Sequence, residues 1–157
     1  MTNMKTKFFV LIACSLLLLV AGCKQKPDEP ELENLVGTVE KPTWTAPEEY
    51  DMATSMTAVV RVDLALSYKP EQLTSYQPSA DDLLAAFSGE TCLGVGVWGD
   101  DLAYLYINAP EDNGDVTLRY YAASLKNIFT AAPVPFSNDD QLGTVEAPHT
   151  PIWTVKK

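Results

Sequence analysis

The hydrophobic pattern changes character twice along the 157-residue chain. Phe8 to Val20 is one run of thirteen residues without a charge. Lys24 to Asn34 (KQKPDEPELEN) then holds four acidic residues, two prolines and a single large apolar side chain. From about Leu35 onward, short apolar runs alternate with Gly, Pro, Asn and Asp. In this last part Met52, Met56, Ala58, Val60, Val62, Leu64 and Leu66 share one parity, with Arg61, Asp63 and Ser67 on the other. Period-two alternation of that length predicts a long strand with one buried face. Cys92 to Trp98 is apolar or glycine throughout and reads as a central strand. Leu102–Asn108 and Val116–Ala122, rich in Tyr, Leu, Val and Ile, predict two more strands, and Asn127–Ala131 and Ile152–Val155 two weaker ones. Gly99-Asp100-Asp101 and the Pro110 to Asp115 loop with its Asn113-Gly114 carry the turn chemistry of hairpins. Short strands at such regular spacing predict an all-β sandwich or barrel. Ser79-Ala80-Asp81-Asp82-Leu83-Leu84-Ala85-Ala86-Phe87 is ambiguous: an N-cap residue, early acids and good helix formers favour a helix. The Ser88-Gly89-Glu90 turn that comes next favours a strand pairing with Cys92–Val97.

The first two segments are an address and a tether. Lys5 and Lys7 precede the apolar run, and Val20-Ala21-Gly22-Cys23 ends it. A charged start, a short apolar stretch and small residues at its end are the parts of a secretory signal. Even with Ala21 and Gly22 the stretch has fifteen residues, whereas a membrane span needs about 20. The small pair before a cysteine resembles the lipobox of bacterial lipoproteins. That resemblance implies thioether lipidation of Cys23, cleavage before it, and acylation of the new amino terminus. Each buried methylene contributes about 0.8 kcal/mol, so two or more chains anchor stably where one does not. The expected divisions are a signal peptide over 1–22, a lipidated cysteine with a disordered acidic tether over 23–34, and a β-sandwich domain over 35–157. An acidic run soon after the cysteine also resembles the export signal of surface lipoproteins in Bacteroidota-type bacteria, although Lys24, Gln25 and Lys26 intervene. The expected location is therefore the outer membrane, at either the surface or the periplasmic face.

A second resemblance bears on the fold. Ala85-Ala86-Phe87-Ser88-Gly89-Glu90-Thr91-Cys92-Leu93-Gly94 looks like the A-A-F-x-G-E-x-x-G hairpin of β-sandwich modules in secreted and surface proteins of the same bacteria. The long alternating strand, the Tyr-rich strand and the T-L-R-Y-Y strand are similar too, over roughly Trp44 to Trp153. The resemblance implies an Ig-like antiparallel β-sandwich of about seven to nine strands, with Leu83–Phe87 as a strand. It carries no catalytic residues. Gly37-Thr38-Val39-Glu40-Lys41-Pro42 recurs as Gly143-Thr144-Val145-Glu146-Ala147-Pro148, 106 residues later, too far apart for a solenoid repeat. A remnant of a module boundary would explain the echo, with Thr43-Trp44 as an opening edge strand.

Charge and chemistry narrow the function. Eleven basic against 21 acidic residues give a net charge of −10, the wrong sign for nucleic acid. Loss of the signal leaves Cys92 as the one thiol beside Cys23. In an apolar strand it reads as a small core hydrophobe, and no disulfide is expected. The single histidine, His149, sits in a proline-bracketed loop, and no nucleophile elbow, zinc motif or P-loop is present. The expectation is a non-enzyme without a cofactor. Asp112, Asp115, Asp139 and Asp140 are weak calcium candidates, because their two loops are expected at one end of the sandwich, but neither has EF-hand spacing. Aromatics are the other candidates: Trp44, Trp98, Tyr104, Tyr106, Tyr121 and Trp153. Adjacent Tyr120 and Tyr121 must face opposite ways on a strand, and outward rings would stack on sugars or meet a protein. The expected function is a lipid-anchored binding or assembly module acting through an open strand edge or an aromatic face. The alternative is a carbohydrate-binding accessory lipoprotein of a glycan-uptake system.

Overall fold

The computed structural model describes residues 35–48, 54–68, 73, 76–110 and 114–155. The signal peptide, Cys23, the tether and Met52 lie outside the described residues. Alternation sets which side of each strand is buried. On β1 (Thr54–Arg61) Met56, Ala58 and Val60 are buried while Thr57 and Arg61 are exposed. It pairs antiparallel with β5 (Leu102–Ala109), whose Ala103, Leu105 and Ile107 face the same interior. The remaining strands are β2 (Leu83–Ser88), β3 (Thr91–Val95), β4 (Val97–Gly99), β6 (Gly114–Ala122), β7 (Asn127–Ala131), β8 (Val134–Phe136), β9 (Gln141–Leu142) and β10 (Trp153–Val155). They form two sheets. Sheet A has four strands in the order β4-β5-β1-β9; sheet B has six, β10-β7-β6-β2-β3 with β8 beside β6. The protein is thus an all-β sandwich, its core built from the inward positions of both sheets around Tyr120, Phe129, Trp153, Ile107, Leu118 and Val60.

The described residues hold ten strands because two short ones escape the sequence pattern and one expected strand divides. Cys92–Trp98 breaks at Gly96 into β3 on sheet B and β4 on sheet A. The switch brings the sheets together: a Cβ on Gly94 would fall 2.2 Å from the carbonyl oxygen of Tyr106. Only glycine permits that approach. The expected strand to Leu66 stops at Arg61, since the Asp63 carboxylate accepts from the Ala65 amide at 2.9 Å and starts a 3-10 turn over Leu64–Leu66. Val62 and Leu64 stay buried, which is why the alternation outran the strand. Gly99-Asp100-Asp101 does close a hairpin, β4 to β5, with Asp100 at φ 54°. The Pro110 to Asp115 connection does not; it carries the chain from β5 of sheet A to β6 of sheet B.

The ambiguous stretch is strand β2, paired with both β3 and β6. Its helix signals cap a turn instead. The Ser79 amide donates to Asp82 Oδ2 at 2.9 Å, and the Asp82 amide returns to the Ser79 carbonyl at 3.1 Å.

After β9, which runs parallel to β1, Gly143 turns at φ 77° and His149 rejoins β1 through the Val59 carbonyl and Arg61 amide, both at 2.9 Å. The chain then crosses to sheet B as β10. Outer backbone donors of β10 are taken by side chains, Trp153 N–H by Ser67 at 2.7 Å and Val155 N–H by the Tyr68 hydroxyl at 3.0 Å. That edge is closed to another strand. The two echo copies do different jobs. Gly143 to Pro148 is a bulging turn beside β1, whereas Gly37 and Val39 hydrogen-bond the β6–β7 turn at Leu125 and Lys126. Thr43-Trp44 is not a strand; the Trp44 ring lies edge-on against Phe87 at 5.3 Å, on the outer face of sheet B.

Candidate functional site

The six candidate aromatics separate by what covers them. Trp153 is 1% exposed and tilted against Tyr120 at 5.7 Å, so its ring is core. Trp98 is half-buried, edge-on to Tyr120, and donates its indole N–H to the Asp82 carbonyl at 3.1 Å. Tyr121 points to the outer side of sheet B, as adjacency to the inward Tyr120 requires. It is nonetheless buried, under residues 36–41, with its hydroxyl 3.4 Å from the Val39 carbonyl. Trp44 is half-buried over Phe87. Of the six, only Tyr104 and Tyr106 stand in solvent, 40% and 44% exposed and two residues apart on β5.

Cross-strand register builds a surface around that pair. Val97, 71% exposed, sits opposite Tyr104, whereas Val59, opposite it on the other side, is 7% exposed, so the exposed apolar row spans β4 and β5 of sheet A. The neighbouring row is Tyr106, Thr57 and Gln141, all exposed. The Tyr106 hydroxyl donates to Ser55 Oγ at 2.9 Å, which fixes the ring. Arg61 pairs with Asp101 at 3.2 Å at the margin. An amphipathic face on a rigid sheet suits recognition, since no ordering of the protein is needed on binding.

Sheet B presents a different outer surface. Residues 35–48 lie across it, fastened by Asn127 Nδ2 donating to the Leu35 carbonyl at 2.9 Å and by Lys41 at 3.6 Å from Asp81. Beside this segment Arg119 stands with its Cζ 4.2 Å from the Phe87 ring centroid. Its guanidinium donates twice to Glu90, at 2.9 and 3.0 Å, and to the Gly89 carbonyl at 2.6 Å. A groove of about 530 Å³ lies between the segment and the pair. Neither residue stands out in the sequence, although Arg119 lies in the outward phase of β6 and Glu90 in the β2–β3 turn.

Among the described residues, the most heavily bonded polar group in the interior is Asp82, 1% exposed. Its carboxylate accepts from the Tyr76 and Tyr120 hydroxyls, the Ser79 amide and hydroxyl, and the Ala123 amide at 2.8 Å. The Tyr76 and Tyr120 hydroxyl oxygens also touch one another, so the two phenolic protons are shared among three contacts. Burial pushes both phenols far above their ordinary value, and the neighbouring Asp82 carboxylate adds to the effect. A carboxylate so completely satisfied ties β2, β6 and the 76–79 loop together rather than performing chemistry.

The remaining candidates show no catalytic or metal arrangement among the described residues. His149 is half-buried in its bridge to β1, and that burial lowers its basicity. Asp140 accepts from the Gln141 amide at 2.8 Å, Asp139 takes a left-handed φ of 60°, and Asp115 is exposed at the start of β6. Asp112 lies outside the described residues. No three His, Cys, Asp or Glu side chains converge on a common point among those described. Cys92 is a free thiol, half-buried on the outer side of sheet B rather than in the core, because Leu93 takes the inward position; burial pushes the thiol up.

Fold and surface together define a β-sandwich with one open and one covered outer face. Comparison with protein-family models, curated proteins and solved structures finds no match, so function must be read from this chain's own geometry.

Proposed function

We propose that the protein is a non-catalytic binding or assembly module, lipid-anchored through Cys23 to the outer membrane, that engages a protein partner through the open face of sheet A. One observation carries the choice of face. Among the described residues, Val97, Tyr104 and Tyr106 are the large apolar side chains exposed on regular strands, while the outward aromatics of sheet B are covered. Three of the four edges at the ends of the strand orders support the same choice: β4, β9 and β10 are three, two and three residues long, and β10 is capped, while the fourth, β3, has five residues. Short or capped edges make strand addition an unfavourable docking mode. The face mixes apolar, hydroxyl and amide groups, the composition of a non-obligate interface.

A second reading, the carbohydrate-binding accessory lipoprotein, is favoured by the Tyr104–Tyr106 pair, whose spacing along one strand offers two rings on one plane. A photo-crosslinking residue at position 104, with position 117 of sheet B as control, separates these readings in cells. A protein adduct at 104 alone is expected, lost when Val97 becomes Lys. Equal adducts at both positions would contradict the assignment of the face, and soluble glycan competing the adduct away would favour the second reading. Anchoring is tested apart: Cys23→Ala should leave the chain uncleaved and out of the membrane fraction, and continued membrane partition would refute lipidation.

A further inference from the structure

The groove on sheet B has a chemistry of its own. At about 530 Å³ it lies within the range of small-molecule sites, roughly 300–1,000 Å³. Trp44 and Val39 give it one apolar wall, and Thr130 and Thr154 line the opposite strands β7 and β10. Arg119 and Glu90 close the end as a two-pronged ion pair whose orientation is held by the Phe87 ring and the Gly89 carbonyl.

The charge pattern selects the ligand class. Arg119 and Glu90 neutralise one another, so an anion would meet Glu90 and a chain carrying a net −10, and a cation would have to displace Arg119. What the groove offers is acceptors at Glu90, a hydroxyl at Thr130, and a second at Thr154 whose own proton goes to the Thr130 carbonyl at 2.9 Å. Facing them is an aromatic ring. A neutral molecule with hydroxyls along its rim and an apolar C–H face satisfies both sides at once. The geometry points to this groove as a site for a neutral pyranose sugar, its C–H face toward Trp44 and its hydroxyls toward Glu90, Thr130 and Thr154. The inference rests on the protein being a binding module, but not on the face of sheet A.

The test is isothermal titration calorimetry of the full-length chain in detergent. The probes are glucose, galactose, mannose, xylose and N-acetylglucosamine with their short oligomers, and galacturonate oligomers as the anionic control. At least one neutral sugar should bind saturably and the galacturonates should not. Trp44→Ala should weaken that binding at least about tenfold, as truncating a central aromatic contact does. Thr130→Trp, which keeps a strand-forming residue while filling the groove, should abolish it, and decides the matter if Trp44→Ala does not fold. The double variant Tyr104→Ala, Tyr106→Ala should leave the affinity unchanged. Absence of any neutral-sugar binding, or binding that survives Thr130→Trp, would overturn the site. Loss in the tyrosine variant alone would overturn it too, while keeping the protein a binding module with its sugar on sheet A.

Discussion

On sheet B, Tyr120, Phe129 and Trp153 pack inward, and the outward Phe87 and Tyr121 are roofed by residues 35–48; on sheet A, Tyr104 and Tyr106 face solvent beside an exposed Val97. The two sheets carry similar strands, yet their rings are spent on different ends. Those of sheet B hold the fold, through close ring contacts and the hydroxyl of Tyr120 on the Asp82 carboxylate. On sheet A, Trp98 joins that packing, whereas Tyr104 and Tyr106 add little to stability and leave a rigid amphipathic surface. Aromatic content alone therefore says nothing about binding; what covers each ring decides it.

Under that division the largest loss comes from the buried carboxylate. Asp82→Ala removes the acceptor of two phenols, the Ser79 hydroxyl and two backbone amides, and should cost about 3–5 kcal/mol, as breaking a buried charged network does. Urea unfolding measures it, and a loss below about 1 kcal/mol would mean the network is incidental. Tyr120→Phe keeps the ring and removes one hydroxyl, for about 1.5–3 kcal/mol, the range for a hydrogen bond to a charged group.

The same variant sharpens the pH behaviour. Folding raises the pKa of Tyr76 and Tyr120 above the ordinary value of 10.0. The folded state therefore holds the phenolic protons more tightly than the unfolded one. Their contribution is fully present below pH 10 and is lost as pH climbs from there toward the folded values. Melting temperature should fall above about pH 10, and less steeply in Tyr120→Phe; an unchanged alkaline slope would contradict the role of the buried phenol. Gly94→Ala tests where the sheets meet. Its Cβ would overlap the Tyr106 carbonyl, so a loss of about 1–3 kcal/mol is expected from overpacking. The smallest effect belongs to the open face: Tyr104→Ser with Tyr106→Ser should shift stability by no more than about 0.5 kcal/mol per site while removing partner binding.

Much of the sandwich is legible in alternation alone, because sheets with one buried face write their geometry at period two. Where local chemistry competes, the pattern misleads. Asp63 caps a turn inside a run that still alternates, and Gly96 divides a run that reads as continuous. The role of Asp82 has a signal that the Ser79-Asp82 turn obscures: it lies in phase with Leu84 and Ala86 on the buried side of β2. A charged residue on a core parity, paired with a tyrosine on the core parity of another strand, marks a buried network. The roof over sheet B has no such signal. Residues 35–48 have no period, and their fastenings, such as Leu35 to Asn127, are distant in sequence. Hence alternation places Tyr121 on its sheet face without revealing that it is covered.

The most direct test is hydroxyl-radical footprinting of the chain in its native membranes against the detergent-purified chain. Oxidation of Tyr104, Tyr106 and Val97 should fall in membranes, where the partner is present. Ile152, also exposed in the free protein but next to β10 of sheet B, should oxidise alike in both. Equal labelling of Tyr104 and Tyr106 in the two preparations would contradict a partner-binding face on sheet A.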